Sequence, residues 1–481
     1  MSESGKKPHA IVISYPLQGH VIPGVHLAIK LASKGFTITY INTQYVHNQI
    51  TTGDKTVNGQ GDIFAEVRKR GLDIRYTTVC DGLPLDFDRS LNHDQFFASL
   101  LHVFSAHVEE AVKKILKSGP PVDCLIADTF FVWPGSLAKK YGLVYVSFWT
   151  EPALVFSLYY NLDVLRFNGH FGCIDLREDP VDYLPGVGPI EPKDLPSYVQ
   201  EMYPTSVVHQ IIFKAFKDAK QADFVLCNTV QELESGAIAA LNKTKPFYAI
   251  GPIFPTGFTK SCVATSLWSE SDCAHWLDTK PPGSVLYVSF GSYAHMKKND
   301  LHEIANGILE SQISFVWVLR PDIVSAEDQN PLPDGFRAAS GERGMIIPWC
   351  CQITVLNHPA IGGSLTHCGW NSILESIWCG VPLLCFPLLT DQFTNRKLVV
   401  DDWKIGMNLC DRVLVTSGEV SRKVKCLMSN KSDELKKGIK RMKDQMEKAL
   451  GKDGSSEKNL DQCIAELTAT IEKKKGSVAG G

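Results

Sequence analysis

The sequence predicts an α/β protein made of two facing, Rossmann-like, doubly wound parallel-sheet domains, and three observations carry that prediction. Its 481 residues exceed what one compact core holds and suit two domains of roughly 200 residues each. Short β-branched runs alternate with amphipathic helical patterns in both halves, as βαβ units do. That alternation lapses once, in a Pro-, Gly-, Ser- and Thr-rich stretch from Pro252 to Glu270. The expected division is a first domain over 1–255, a linker over 256–270, a second domain over 271–455 and a final helix over 456–475.

From the N-terminus, Ala10 to Ser14 reads as a strand, Gly19 as a turn, Val25 to Ser33 as an amphipathic helix and Phe36 to Ile41 as a second strand, with Gly35 stopping the helix. Further strands are expected at Leu125 to Ala127, Val144 to Phe148 and Phe224 to Cys227, with a helix from Gln95 to Leu116. Beyond the linker, Val285 to Phe290, Phe315 to Leu319 and Met345 to Pro348 read as strands and Lys298 to Gln312 as a helix, with a polar excursion from Ser325 to Gly341. The charged segment Lys436 to Lys475 reads as helices ending in a frayed tail. Two such sheets favour a ligand cleft between them, because parallel sheets bind ligands beyond the carboxyl ends of their strands.

Composition narrows the function. With 52 acidic and 49 basic side chains the net charge is −3, which removes any global pull toward nucleic acid or anionic lipid. The 14 cysteines are scattered, several inside apolar runs, and no secretory signal or membrane span is legible. A soluble cytoplasmic monomer with reduced thiols is expected.

The richest stretch runs from Trp349-Cys-Cys-Gln352 through Gly362-Gly363, Thr366-His-Cys-Gly-Trp-Asn-Ser372, Glu375 and Gly380-Val-Pro382 to Asp391-Gln392. Gly362 to His367 ends a short strand, and Asn371 to Cys379 makes a short helix closed by Gly380. A loop entering a helix N-terminus presents free N–H groups and partial positive charge, which suits a diphosphate without a metal. The same residues have a purely structural reading, since Ser372-Ile-Leu-Glu375 also fits a capping box. Trp349 likewise fits both a stacking platform and a core residue.

The segment from Trp349 to Gln392 resembles the donor-binding signature of the plant family-1 UDP-dependent glycosyltransferases, and the likeness extends from Pro16-Leu-Gln-Gly-His20 to the last helices. It implies the two-domain GT-B fold, with the last helix returning to the first domain. It implies that Trp349 stacks on uracil, that Cys350 meets the base through its backbone, and that Gln352 and Glu375 hold the ribose hydroxyls. By the same likeness His367, Gly369, Trp370, Asn371 and Ser372 surround the phosphates, Ser292 in Phe290-Gly-Ser292 joins them, and Asp391, Gln392 and Thr150 touch the sugar. The sequence departs from the family where Cys350-Cys351 replaces Ala-Pro, a pair of adjacent thiols open to oxidation, and where Ser364 replaces a large aromatic.

His20 and Asp128 both follow strands of the first half and so fall at one sheet edge. The resemblance makes His20 the base that deprotonates the acceptor hydroxyl and Asp128 its orienting carboxylate. It places Tyr15, Phe130 and Leu389 in the acceptor pocket, to which Phe87 and Phe156 are added. The implied activity is inverting, metal-independent transfer of a sugar from a UDP-sugar, glucose being favoured by Gln392, to a small hydrophobic hydroxylated acceptor, with no cofactor. A non-catalytic UDP-sugar binder is the rival, and keeping both His20 and Asp128 argues against it. A nicotinamide-dependent oxidoreductase lacks its glycine fingerprint, because Gly186-Val-Gly188 runs into Pro189. Asp86-Phe-Asp88 lies in a Pro-containing loop and reads as a solvated turn, not a metal site.

Overall fold

The computed structural model describes residues 7–53, 61–172, 177–201, 206–254, 263, 265–324, 330–411 and 414–479. Residue 255, most of the expected linker (256–262 and 264) and the start of the polar excursion (325–329) lie outside the described residues. Seven strands form the first sheet: β1 (His9–Ile13), β2 (Thr37–Thr43), β3 (Ile74–Val79), β4 (Cys124–Asp128), β5 (Val144–Trp149), β6 (Phe224–Cys227) and β7 (Phe247–Ala249). Six form the second: β8 (Val285–Ser289), β9 (Ser314–Val318), β10 (Gly344–Ile347), β11 (Ile361–Thr366), β12 (Leu383–Cys385) and β13 (Gly406–Asn408).

The first sheet runs β3-β2-β1-β4-β5-β6-β7 and the second β10-β9-β8-β11-β12-β13, and their paired strands are parallel. In each, the order reverses beside the sheet's first strand, and that is where crossovers leave a crevice at the carboxyl edge. Residues from Ile11 to Ile13 and Leu125 to Ala127, and from Leu286 to Val288 and Leu365, are almost wholly buried. Helices therefore cover both sheet faces, as the continuous apolar strands require.

The two halves are joined by one apolar cluster in which Trp149, Phe156 and Phe216 of the first share a core with Trp370, Leu374 and Met446 of the second. The last helix, Ser455–Ala479, lies on the first sheet's side: Leu460, Cys463, Leu467 and Ile471 enter the core around Val12 and Ile126. Ser456 and Asn459 donate hydrogen bonds to the carbonyls of Gly251 and Ala249, and Lys475 pairs with Asp123 at 2.5 Å. This helix continues past the expected fraying point.

Two helices differ from the sequence reading. The first spans Gln18–Ser33, starting seven residues before Val25 and carrying Pro23 inside it. Proline has no N–H to give the carbonyl four residues back, so Gly19 keeps a free carbonyl within a continuous helix. The expected helix from Gln95 to Leu116 is two, His93–His102 and Phe104–Ser118, which meet at Val103 (φ −112°, ψ −45°).

Candidate active site

The carboxyl edges of the two sheets face one another across a cavity of about 180 Å³. From the first half it is lined by Tyr15, His20, Phe130 and Thr150, and from the second by Ser292, His367, Gly369, Trp370, Asn371, Leu389, Asp391 and Gln392. Residues far apart in sequence therefore meet because each ends a strand or opens a helix at the same edge.

His20 stands in the first turn of helix Gln18–Ser33, and Asp128 is the last residue of β4. The His20 Nδ1 lies 2.8 Å from Asp128 Oδ2 and 2.9 Å from Thr150 Oγ1. A carboxylate only accepts hydrogen bonds, so Nδ1 carries the proton and Nε2 presents its lone pair. No hydrogen bond engages Nε2 among the described residues. Asp128 is fixed in turn by the Phe130 N–H on Oδ1 at 3.0 Å, and its side chain is 1% exposed. The rings of Tyr15 and Phe130 approach His20 to 5.6 and 5.5 Å, making the wall beside it apolar.

Across the cavity, β11 ends at Thr366 and helix Trp370–Cys379 begins after Gly369. His367 is wedged between two glycines: a Cβ on Gly291, whose φ is +75°, or on Gly369 would collide with its ring. Burial, with Arg320 adding to it, holds the His367 imidazole down at about 4, so it is neutral near pH 7. Asn371 Nδ2 donates to the Gly19 carbonyl at 2.9 Å, the acceptor that Pro23 leaves free, and so ties the helix start to the first domain. Trp370 also spans the domains, its indole N–H donating to the Asn228 carbonyl at 2.7 Å. Its ring is thus committed to packing, and only its remaining atoms can face a phosphate.

The capping-box reading does not describe this helix. Gly369 occupies the cap without a side-chain bond, and Ser372 and Glu375 instead meet Gln352, whose Nε2 donates to Ser372 Oγ at 2.9 Å and to Glu375 Oε2 at 2.6 Å. The Tyr287 hydroxyl donates to Gln352 Oε1 at 3.1 Å. Burial pushes the Glu375 carboxyl up to about 7, against that bond from Gln352. Trp349 is half-buried and stacks on Trp268, with centroids 6.1 Å apart and planes 28° from parallel. Cys350 is buried with its Sγ 3.7 Å from the Tyr287 hydroxyl. Burial raises both the Cys350 and Cys351 thiols, which suppresses the thiolate and so the oxidation their adjacency suggests.

Elsewhere on the cavity, Asp391 occupies the N-cap position of helix Gln392–Lys397 without a side-chain capping bond. Its oxygens accept from Thr390 Oγ1 at 2.6 Å and Asn395 Nδ2 at 2.5 Å. Gln392 Oε1 accepts from the N–H groups of Leu388 and Leu389 at 2.9 and 3.1 Å. With its oxygen so engaged, the amide turns NH2 to the cavity as a donor.

Several lining residues escaped sequence reasoning: Phe97, Tyr159, Tyr198, Ile211 and Tyr293 complete the apolar half, and Glu151 enters it beside Thr150. Arg320, 1% exposed, organises the loop after β8 by donating to the carbonyls of Gly291 at 2.5 Å and Ala294 at 2.8 Å. An arginine ending the apolar run Phe315 to Leu319 was its visible signal. Phe156 is not in the pocket; it is 1% exposed and packs on Trp149 and Phe216. Phe87 is not among the lining residues either. Asp88 accepts from the N–H groups of Ser90 and Leu91, which makes Asp86-Phe-Asp88 a hydrogen-bonded turn.

Residues 271–447 match the model of the UDP-glucoronosyl and UDP-glucosyl transferase family. The chain is 60% identical to UDP-glycosyltransferase 86A2 of Arabidopsis thaliana over 97% of its own length and 96% of that protein. It is 57% identical to UDP-glycosyltransferase 86A1 of the same plant, over 99% and 97%. Among solved structures it resembles Phytolacca americana UGT2 complexed with UDP-2fluoro-glucose and pterostilbene, at TM-score 0.77 and 26% identity, covering 96% of this chain and all of that one. No helix of the described residues is long and apolar enough to cross a membrane. The chain belongs to the plant family-1 UDP-dependent glycosyltransferases, enzymes of the GT-B fold that transfer a sugar from a UDP-sugar.

Proposed function

We propose that this enzyme transfers glucose, with inversion and without a metal, from UDP-glucose to a hydroxyl of a small apolar acceptor. The observation that carries the chemistry is the His20–Asp128 pair at 2.8 Å, opening onto a cavity shared by both domains. In this reading His20 Nε2 takes the proton of the acceptor hydroxyl, and Asp128 holds the ring and stabilises the imidazolium. The acceptor oxygen attacks the anomeric carbon from the first-domain side, and the bond to the diphosphate oxygen breaks on the other. Free N–H groups at the start of helix Trp370–Cys379 and the neutral His367 receive the departing charge, which is why no divalent ion is required. Gln392 NH2 and Asp391 read the sugar hydroxyls, and Trp349, Gln352 and Glu375 hold the uridine.

The acceptor half is walled by Tyr15, Phe130, Phe97 and Leu389, which suits a phenol or terpenoid-sized alcohol of a plant's specialised metabolism, encountered in the cytoplasm. The Phytolacca relative's co-crystallised pterostilbene has this character. The test is a mass-spectrometric screen of UDP-glucose, UDP-galactose, UDP-xylose and UDP-glucuronate against phenolics, terpenols and hormones, with and without a chelator. Glucoside formation that survives chelation is expected. Preference for another donor, or loss of product on chelation, overturns the respective part.

A further inference from the structure

Among the described residues, Glu151 is the one acidic side chain lining the cavity that neither the His20 pair nor the expected sugar contacts employ. It follows Thr150 at the end of β5, lines the cavity, and has its Oε2 buried without a hydrogen-bond partner among the described residues. Tyr159 and Tyr198 line the same cavity, and among the described residues neither phenol oxygen makes a hydrogen bond. Burial, reinforced by Asp391 and Asp128, raises the Glu151 carboxyl well above its ordinary value; in its protonated form it both donates and accepts.

These unsatisfied groups sit in otherwise apolar surroundings that include Val208, Ile211 and Ile212. Water can satisfy them while the cavity is open. An acceptor that fills it displaces that water, and leaving a buried polar group unpaired is costly. A hydroxyl, which donates and accepts, is the group that restores the bonds.

Resting on the transfer reading above, we propose that Glu151, Tyr159 and Tyr198 form a polar recess that binds a second hydroxyl of the acceptor, apart from the one that receives the sugar. The enzyme is then selective for acceptors with at least two hydroxyls over singly hydroxylated molecules of the same skeleton. Asp391 borders the recess, so contact with the donor sugar is the competing role.

The test compares the unaltered chain with Glu151→Leu and Glu151→Gln, using a monophenol and a set of dihydroxylated isomers of its skeleton, with melting curves as a folding check. For at least one isomer the unaltered enzyme is expected to favour the diol in kcat/KM. Glu151→Leu should lower the diol-to-monophenol ratio by about 10- to 100-fold, the range for one lost hydrogen bond to a buried acid, and Glu151→Gln by less. A ratio unchanged in Glu151→Leu, or a rise in the KM for UDP-glucose as large as the fall with the diol, overturns the recess. Absence of turnover by the unaltered chain with every acceptor instead overturns the transfer reading itself.

Discussion

Glu375 offers a pH test of how the nucleotide is held. Its carboxyl titrates at about 7, so close to a tenth is ionised at pH 6 and about nine-tenths at pH 8. In the proposed reading Glu375 meets the ribose; there the ionised form can accept hydrogen bonds from both ribose hydroxyls, whereas the neutral form must spend one oxygen as a donor. If the ionised form does most of the binding, the Kd for UDP-glucose should tighten by up to about tenfold between these pH values. UDP-glucose is the ligand of choice because its diphosphate, esterified at both ends, has no second ionisation in this range. His367, held at about 4, stays neutral throughout and adds no slope. Tryptophan fluorescence quenching read at several pH values gives the Kd directly. Glu375→Gln, neutral at every pH, should bind weakly with a flat profile. A flat profile in the unaltered chain, or an undiminished slope in Glu375→Gln, would refute this account. Stability has the opposite sign: a carboxyl raised above its unfolded value of 4.5 supports the fold below that pH and withdraws the support as pH rises through about 7.

Three further outcomes follow from the geometry. Trp370→Phe leaves the Asn228 carbonyl buried and unpaired, at a cost of about 1–3 kcal/mol; calorimetry should show a melting point lower by roughly 2–12 °C. Gly291→Ala forces a side chain into a left-handed conformation worth about 1–2 kcal/mol of strain and drives it against His367; UDP-glucose binding by titration should weaken, and unaltered affinity would contradict the packing. If Trp349 stacks on uracil as proposed, Trp349→Ala should lose about 1–3 kcal/mol of base stacking, and most of the UDP-induced quench with it.

The sheets were legible because buried parallel strands are short, uninterrupted apolar runs: Phe224 to Cys227 is bounded in the structure as its pattern implies. Helix starts were less so. Gly19 read as a turn before Val25, yet the helix runs through both Gly19 and Pro23, and Pro23 costs it only one bond, whose carbonyl Asn371 recovers from the other domain. That compensation is a contact between residues 352 positions apart, invisible to local pattern. The segment from Trp349 to Gln392 pointed to the family because its residues are contiguous and chemically distinctive. Whether Ser372 and Glu375 capped their own helix was not, since the answer lies in Gln352, which only folding brings to them. The apolar cavity wall was least legible: Tyr198 lines the cavity where the Ser197 N–H bonds the Thr390 carbonyl at 2.9 Å, a link between segments of different domains.

The most direct measurement of the central claim is the rate of sugar transfer by His20→Ala alongside its UDP-glucose affinity. Loss of the base should lower kcat for an alcohol acceptor by about 10²- to 10⁴-fold while the nucleotide binds within a few-fold of normal. Transfer at the unaltered rate would contradict His20 as the base and with it the mechanism.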